Sequence, residues 1–406
     1  MTTFTGNART GPAPRLPSAA RAVFALLARI EHGSLDVCLP DGTSAHYGRQ
    51  ESGGPRAAIT LHNWNVCAAA LKTGDIGFAE TYIAGDWTTP DLAVLLEVFT
   101  ANRDAVQAVV YGTWWGSLFY RARHFLRRNS RRGSKKNIHA HYDLGNDFYR
   151  LWLDPTMSYS GAWFEGDRSG GLVAAQQAKA RRALWECGVE AGERVLEIGC
   201  GWGALAELAA GEFGASVTGV TLSAEQLVWA QQRVDVAGLA ADLRLQDYRD
   251  IADAPFDAIV SIEMFEAVGR EYWPVFFEAI RRRLRPGGKA CIQSITINDD
   301  LFDRYVRSTD FIQQYIFPGG LLPSRTEFRA AAAAAGLRVT GEFDFGLDYA
   351  ETLRRWRARF FRAEPAVRAL GFDSRFVRIW EFYLAYCEAA FAAGNTSVVQ
   401  FTLQRS

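Results

Sequence analysis

Apolar residues follow two alternating spacings from residue 193 onwards. Short apolar runs, typical of buried strands, alternate with segments in which apolar residues recur every three or four positions, as on one face of a helix. The predicted strands are 194–198, 216–222, 242–246, 256–265, 289–297 and 397–403, and the predicted helices are 204–213, 224–236 and 272–284. This alternation predicts an α/β fold with a doubly wound sheet.

The first hundred residues have a different pattern. Residues 34–47 alternate around the turn signal Pro40-Asp41-Gly42, and 58–67 forms another candidate strand. Helical spacing follows over 65–80 and 91–101. We therefore predict a smaller N-terminal α+β domain. The predicted division is 1–16 as a loose tail, 17–120 as the α+β domain, 121–137 as a basic linker and 138–406 as the catalytic domain.

Composition excludes several classes of protein. The chain has 406 residues, of which 49% are hydrophobic, and 45 basic residues balance 45 acidic ones. Disordered and fibrous proteins have other compositions. No apolar run reaches the roughly 18 residues of a membrane span, so we expect no integral membrane protein. The six cysteines include no Cys-x-x-Cys pair and the N-terminus lacks the apolar core of a secretory signal, so we expect reduced thiols and a cytoplasmic location.

One segment concentrates positive charge. Between Asp104 and Asp143 there is no acidic residue, whereas residues 121–136 contain eight lysines and arginines, preceded and interleaved by aromatic residues. Such a segment can insert apolar side chains into an anionic membrane surface while its cations meet phosphates. We predict peripheral binding to the inner face of a membrane. A solvated linker is the alternative, and nucleic acid is disfavoured because no nucleic-acid motif accompanies the charge.

Histidine usage limits the chemistry. All six histidines precede residue 142, so residues 142–406 contain none. Chemistry in that region has no imidazole base or imidazole metal ligand, which excludes Ser-His-Asp hydrolases and histidine-ligated zinc enzymes. We predict no metal site. A carboxylate, a phenol or a bound anion must then transfer protons.

A glycine-rich sequence follows the first predicted strand of this region. It reads Glu197-Ile198-Gly199-Cys200-Gly201-Trp202-Gly203 and leads directly into a helix. Glycines allow a tight turn and close approach of a ligand, and an acidic residue can fix polar ligand groups. A dinucleotide site would favour Gly-x-Gly-x-x-Gly and an acid at the end of the second strand, but that strand ends in Val220-Thr221-Leu222-Ser223.

This motif resembles the S-adenosylmethionine (SAM) motif of class I methyltransferases, and further blocks narrow the resemblance to cyclopropane-fatty-acyl-phospholipid synthases. Together the blocks span nearly all of residues 138–406. They are HYDLGNDFYRLWLDPTMSYSGAWF (141–164), QQAKA (176–180), VLEIGCGWGALAE (195–207), VTGVTLSAEQ (217–226), QDYRD (246–250), SIEMFEAVG (261–269), YIFPGGLLPS (315–324) and FGLDYAETL (345–353). The resemblance implies a Rossmann-like class I methyltransferase fold.

The resemblance also implies a set of SAM-binding residues. They lie along the methionine end, the sulfonium, the ribose and the adenine of the cofactor. The set comprises Tyr159, Ser160, Glu197, Gly199, Gly201, Trp202, Gly203, Thr221, Leu222, Gln226 and Tyr248.

The implied reaction is methylation of a cis double bond in an unsaturated phospholipid acyl chain. Methyl transfer leaves a carbocation, which aromatic faces can stabilise, and a base then removes a proton. Loss from the new methyl group closes a cyclopropane, and loss from a neighbouring carbon gives a methylene or branched chain. The resemblance implies that the base is a bound bicarbonate, with Glu266, Tyr349, Gln293, Ile295 and Gly161 at the matching positions. Glu266 is expected to be the least replaceable of these.

Two positions depart from the family pattern. Tyr159-Ser160-Gly161 stands where many members have Tyr-Ser-Cys, and Gln293-Ser294-Ile295 stands where they have His-Thr-Ile. Glutamine can donate a hydrogen bond to an anion but carries no positive charge. The sequence therefore leaves open whether bicarbonate is retained or whether Glu266 or Tyr349 works without it. It also leaves open which product forms and whether the protein is a homodimer. Two other functions stay open as well: methylation of a smaller acceptor, and an inactive membrane-binding module.

Overall fold

The computed structural model describes residues 4–5, 16–49, 54–105 and 144–405. The basic segment 121–137 and its predicted membrane contact lie outside the described residues.

The described residues form two compact units. One contains the residues up to 105 together with 305–316 and 371–395, and the other contains 144–304, 317–370 and 396–405. The prediction of one contiguous domain over 138–406 therefore differs from the structure. Two stretches from the C-terminal part of the sequence pack with the N-terminal residues, which a pattern read along the chain does not reveal.

The first unit contains a five-stranded sheet in the order β1-β3-β2-β4-β5. Its strands are β1 Phe4–Thr5, β2 Ser34–Cys38, β3 Ser44–Gly48, β4 Arg56–Leu61 and β5 Trp87–Thr88. Its helices are Ser18–Leu27, Asn65–Thr73, Asp75–Ala84, Leu92–Ala101, Phe311–Tyr315 and Ser374–Ala392. The antiparallel β2–β3 pair confirms the hairpin predicted around Pro40-Asp41-Gly42.

Two predictions in this unit need correction. The single helix predicted over 65–80 is two helices, because Gly74 lies between them with a positive φ of 66° that a helix does not accommodate. The tail predicted as loose includes β1, in which Phe4 pairs with Ala45 and Thr5 with Ser44.

The second unit contains a seven-stranded sheet in the order β11-β12-β10-β9-β6-β7-β8. Its strands are β6 Arg194–Ile198, β7 Ser216–Thr221, β8 Ala241–Leu245, β9 Phe256–Ile262, β10 Leu284–Ile297, β11 Leu337–Asp344 and β12 Thr396–Arg405. Strands β6 to β10 pair in parallel, whereas β12 runs antiparallel to both β10 and β11. The doubly wound prediction is confirmed, with β11 as an additional strand.

Helices accompany this sheet. They are Asn146–Arg150, Leu172–Cys187, Ala204–Glu212, Ala224–Val236, Trp273–Arg283, Asp299–Val306, Arg325–Ala334, Gly346–Arg362 and Glu364–Ala369. The helix predicted over 224–236 has those bounds, and Ser223 caps its N-terminus by accepting from the Gln226 amide. The helix predicted over 272–284 spans Trp273–Arg283, and the Pro286-Gly287-Gly288 segment that follows lies inside β10, where a register shift separates Leu284 from Lys289.

The strand order positions the ligand site. The chain passes from β6 to β7 and β8 on one side, then returns to β9 on the other side of β6. Ligands in such sheets bind at the carboxyl ends of the strands beside this reversal. Here that place is formed by the residues after Ile198 of β6 and Ile262 of β9.

Over the described residues, the structure contains no helix both long enough and apolar enough to cross a membrane.

Candidate active site

The turn after β6 has a backbone that favours glycine. Gly199, Gly201 and Gly203 have φ values of 88°, 50° and 83°, all in the left-handed region that side chains disfavour. A Cβ added at Gly201 would have no neighbouring atom within 4 Å. The backbone at Gly201 therefore faces open space.

That space is a cavity of ≈ 580 Å³. Ten of the eleven residues that the resemblance assigned to SAM line it: Tyr159, Ser160, Glu197, Gly199, Gly201, Trp202, Thr221, Leu222, Gln226 and Tyr248. Gly203 is not among the described lining residues. A Cβ at Gly203 would lie 2.9 Å from the Ala230 Cβ, so this glycine allows two helices to pack closely.

The cavity presents an unsatisfied acceptor. Glu197, the residue before the last of β6, is 4% exposed, and its Oε2 atom has no hydrogen-bond partner among the described residues. Burial raises the pKa of Glu197 to about 8. A buried polar atom of this kind requires a partner. The residues present therefore fit a ligand with polar groups, and SAM supplies an amino group, ribose hydroxyls and an adenine.

Contacts with neighbouring side chains hold the rings of Tyr159 and Trp202 in place. The Tyr159 ring lies 5.5 Å from the Tyr149 ring and 5.5 Å from the Trp356 ring, measured between centroids. The Trp202 Nε1 donates to Asn146 Oδ1 at 2.7 Å. Tyr159 and Trp202 therefore pack in the core and line the cavity at the same time.

A buried lysine also reaches this cavity. Lys179 lies on helix Leu172–Cys187, is 3% exposed and donates from Nζ to Ser160 Oγ at 2.5 Å. Burial lowers the pKa of Lys179 to about 8, although the neighbouring carboxylates Glu263 and Asp154 favour the charged form. The positive charge of Lys179 stabilises the charged form of a neighbouring carboxylate.

That carboxylate belongs to Glu263, the residue immediately after β9. Three groups donate to it: the Gly161 amide to Oε1 at 2.9 Å, Gln293 Nε2 to Oε1 at 2.8 Å, and the Tyr349 hydroxyl to Oε2 at 2.8 Å. Glu263 also lines the cavity that the glycine turn lines. The site thus brings together a cofactor-type turn and a buried carboxylate that accepts three hydrogen bonds.

Strand pairing places Glu263 and Gln293 together. Gln293 of β10 is in register with Ile262 of β9, and the next amide, that of Glu263, donates to the Gln293 carbonyl at 2.9 Å. Gln400 of β12 donates from Nε2 to Gln293 Oε1 at 3.1 Å. This bond leaves the Nε2 end of Gln293 directed at Glu263.

Gly161 and Tyr349 meet because the 159–164 segment is tied to helix Gly346–Arg362. Asp348 accepts from the Phe164 amide at 2.8 Å, and Thr352 Oγ1 accepts from the Ala162 amide at 3.1 Å. A Cβ at position 161 would lie 2.8 Å from the Tyr349 ring. The glycine at 161 therefore allows the tyrosine to take this position.

Glu266 has a separate set of partners. It lies in the 3₁₀ turn Phe265–Ala267, not at the end of the predicted strand 256–265, because β9 ends at Ile262. Its Oε1 accepts from the Ile295 amide and from Ser294 Oγ. Its Oε2 is buried without a partner among the described residues, and Glu266 is not among those that line the cavity.

The two carboxyl groups differ in charge. Burial raises the pKa of both, and the charge of Glu263 helps to raise that of Glu266 to about 8. Lys179 and the three donors oppose this shift at Glu263. When one proton is shared between two nearby carboxyls, hydrogen-bond donors and a neighbouring cation favour the charged form of the carboxyl that they surround. The three donors and Lys179 therefore favour the charged form of Glu263, whereas burial and the charge of Glu263 favour the protonated form of Glu266.

The sequence analysis assigned no role to Glu263 or Lys179. The available signal for Glu263 was an acidic residue at the end of the apolar strand 256–262, where parallel strands present ligand-binding groups. Lys179 lies in the quoted QQAKA block, but nothing in that block shows that its ammonium is buried.

Strand order, glycine turn and cavity together define a class I SAM-dependent methyltransferase. Structures with low sequence identity share this fold, including coclaurine N-methyltransferase bound to S-adenosylhomocysteine, at 18% identity and a TM-score of 0.61. Residues 129–401 match the family model for mycolic acid cyclopropane synthetase. The chain belongs to this family.

Individual relatives align with between about two thirds and nearly all of the chain. It is 39% identical to the tuberculostearic acid methyltransferase UfaA1 of Mycobacterium tuberculosis, over 97% of this chain and 93% of the relative. It is 35% identical to the cyclopropane-fatty-acyl-phospholipid synthase of Escherichia coli, over 87% and 89% respectively. The mycolic acid cyclopropane synthase CmaA1, solved with S-adenosylhomocysteine, is 35% identical with a TM-score of 0.63, covering 67% of this chain and 98% of CmaA1.

Proposed function

We propose that this enzyme transfers a methyl group from SAM to the double bond of an unsaturated acyl chain carried on a phospholipid. The chain is a SAM-dependent methyltransferase of unsaturated fatty acyl chains. The observation that carries the proposal is that one cavity is lined both by the glycine turn and by a buried carboxylate. Relatives that act on acyl chains by name, and that align over most of the chain, support it.

The cofactor supplies an electrophilic methyl group on a sulfonium. The glycine turn, Glu197, Thr221, Gln226 and Tyr248 would hold it. An alkene is a weak nucleophile, so the enzyme gains most from exact placement and from the exclusion of water. The rings of Tyr159 and Trp202, which line the cavity, can face the carbocation that follows.

The carboxylate cluster would then control the loss of a proton. Glu263, Glu266, Gln293, Ile295, Gly161 and Tyr349 form this cluster. The product depends on which C–H bond faces the base: a cyclopropane forms if the proton leaves the new methyl group, and a methylene forms if it leaves a neighbouring chain carbon.

Mass spectrometry of lipids tests the proposal directly. Purified enzyme is incubated with SAM carrying a labelled methyl group and with vesicles of a monounsaturated phospholipid. We expect each modified acyl chain to gain the mass of one CH₂ group, and vesicles of the saturated phospholipid to gain nothing. NMR of the product distinguishes a ring from a methylene. Methylation of a small amine, with no change in the lipid, would contradict the proposal.

The basic segment 121–136 supports access to the lipid from an anionic membrane surface on the cytoplasmic side. Replacing Arg127, Arg128, Arg131 and Arg132 with glutamine should remove roughly 1 kcal/mol of membrane affinity each at low salt. Co-sedimentation with anionic vesicles measures this, and the loss should shrink as salt is added. Equal co-sedimentation of variant and wild type would leave the segment as a linker.

A further inference from the structure

We propose that the base of this reaction is the carboxylate of Glu263, built into the chain in place of a bound bicarbonate. This inference rests on the proposed function. It departs from the resemblance, which assigned the base to an exchangeable anion held by five groups.

The donors of the expected anion site are already used. Gly161 N, Gln293 Nε2 and Tyr349 Oη all donate to Glu263, at 2.8–2.9 Å. The fourth donor, the Ile295 amide, donates to Glu266. A bicarbonate at this place would find no free donor among these groups and would lie against two carboxyl groups. The residues present therefore do not fit bicarbonate.

The backbone of Glu263 indicates that its side chain has a function. Its φ is 49°, in the left-handed region where glycine is favoured and other residues are strained. Residues held in such conformations cluster at functional sites, where surrounding contacts fix them. Three hydrogen bonds and one buried cation fix this one.

The two departures from the family pattern agree with this assignment. A glutamine at 293 is neutral, so it donates to Glu263 without adding a second cation beside Lys179. Its orientation is set by Gln400, whose Oε1 in turn accepts from Arg182 at 2.7 Å. A glycine at 161 leaves room for the Tyr349 ring, whose hydroxyl completes the set of donors.

Each bond that breaks in the proposed proton transfer is matched by a bond that forms. Methyl transfer leaves a cationic carbon on the acyl chain. A neighbouring C–H bond breaks, its proton forms an O–H bond with a Glu263 oxygen, and its electron pair either closes the ring or forms a C=C bond. The cation and the carboxylate both become neutral. The proton leaves Glu263 for solvent before the next turnover.

Three variants test the assignment. Glu263→Gln keeps size and polar contacts but cannot accept the proton, so turnover on monounsaturated phospholipid should fall at least about a hundredfold. SAM affinity, measured by calorimetry, should stay unchanged. Glu263→Gly relieves the backbone but removes the acceptor of three buried hydrogen bonds and the counter-charge of Lys179, so its thermal stability should fall below that of the wild type. Glu165→Gly is the matched control, because Glu165 is exposed and has a similar φ of 54°.

Experiments with bicarbonate test this inference separately from the proposed function. Wild-type turnover should be unaffected when bicarbonate is removed from the buffer, and the Glu263→Gly variant should regain activity when bicarbonate or formate is added. By NMR, carbon-13-labelled bicarbonate should bind Glu263→Gly and not the wild type. Equal binding to the wild type would overturn the inference whatever the lipid substrate is. So would near-normal turnover by Glu263→Gln, whereas an absence of any lipid methylation by the wild type would count against the proposed function.

Discussion

The two parts of the site, the glycine turn after β6 and the carboxylate cluster that meets the cavity through Glu263, are built in different ways. The turn is one continuous stretch, and its backbone conformation makes the site. The cluster takes side chains and amides from five segments: the 159–164 segment, the end of β9, the turn Phe265–Ala267, β10 and helix Gly346–Arg362. A site made by one stretch of backbone tolerates few residue types, whereas a cluster can exchange a donor or an acceptor while keeping its geometry.

The largest effect should come from the glycine turn. Gly201→Val places a branched side chain in open cavity space and at a positive φ that valine disfavours. SAM affinity should fall at least about a hundredfold, roughly 2.7 kcal/mol. Calorimetry measures this. Gly238→Ala is the control, since Gly238 also has a positive φ and an open Cβ position but is not among the described cavity residues. Unchanged affinity in Gly201→Val would break the cofactor assignment.

A smaller loss should follow from crowding the cluster. The Cβ of Gly161→Ala would lie 2.8 Å from the Tyr349 ring, so the ring must move and its bond to Glu263 weakens. We expect turnover to fall roughly tenfold, within the range for a misplaced acid/base group, while SAM affinity stays near normal. Gly171→Ala, where a Cβ would meet nothing within 4 Å, should keep full turnover. Equal turnover in both variants would show that the Tyr349 contact is dispensable.

The smallest effect on turnover should come from Glu266. Its pKa of about 8 keeps it protonated at neutral pH, and glutamine mimics a protonated carboxyl. Glu266→Gln retains an oxygen for the Ile295 and Ser294 donors. Turnover should therefore stay within about tenfold of the wild type, in contrast to Glu263→Gln. A larger loss from Glu266→Gln than from Glu263→Gln would reverse the roles inferred for the two carboxyls.

The same variant has a pH signature in stability. The folded state of the wild type keeps a proton on Glu266 between pH 4.5, its ordinary pKa, and about 8. Because the folded state binds more protons in this window, the free energy of unfolding falls as pH rises through it. In Glu266→Gln this dependence on pH should disappear. The free energy of unfolding of the variant should then exceed that of the wild type by on the order of a few kcal/mol at pH 8. Denaturant unfolding at pH 5 and pH 8 measures the difference.

Features that a single stretch of the chain forms by itself were predictable from the sequence. Strand and helix periodicity located β6 to β10 and the helix Ala224–Val236, and the spacing of three glycines located the cofactor turn. Ten residues assigned by resemblance line one cavity. Such features depend on neighbours in the sequence, because backbone conformation and one-sided burial are local properties.

Only the tertiary structure showed which carboxyl group accepts the hydrogen bonds from Gly161, Gln293 and Tyr349. Glu263 and Glu266 are three residues apart, and both follow the same strand in the sequence. The register of β9 with β10 and the approach of Tyr349 to Gly161 give Glu263 its donors. The Ile295 amide instead reaches Glu266. Charge in a buried site depends on which donors and cations surround each carboxyl in space, and these come from residues 30 to more than 100 positions apart, as in the bonds from Gln293 and Gly161 to Glu263.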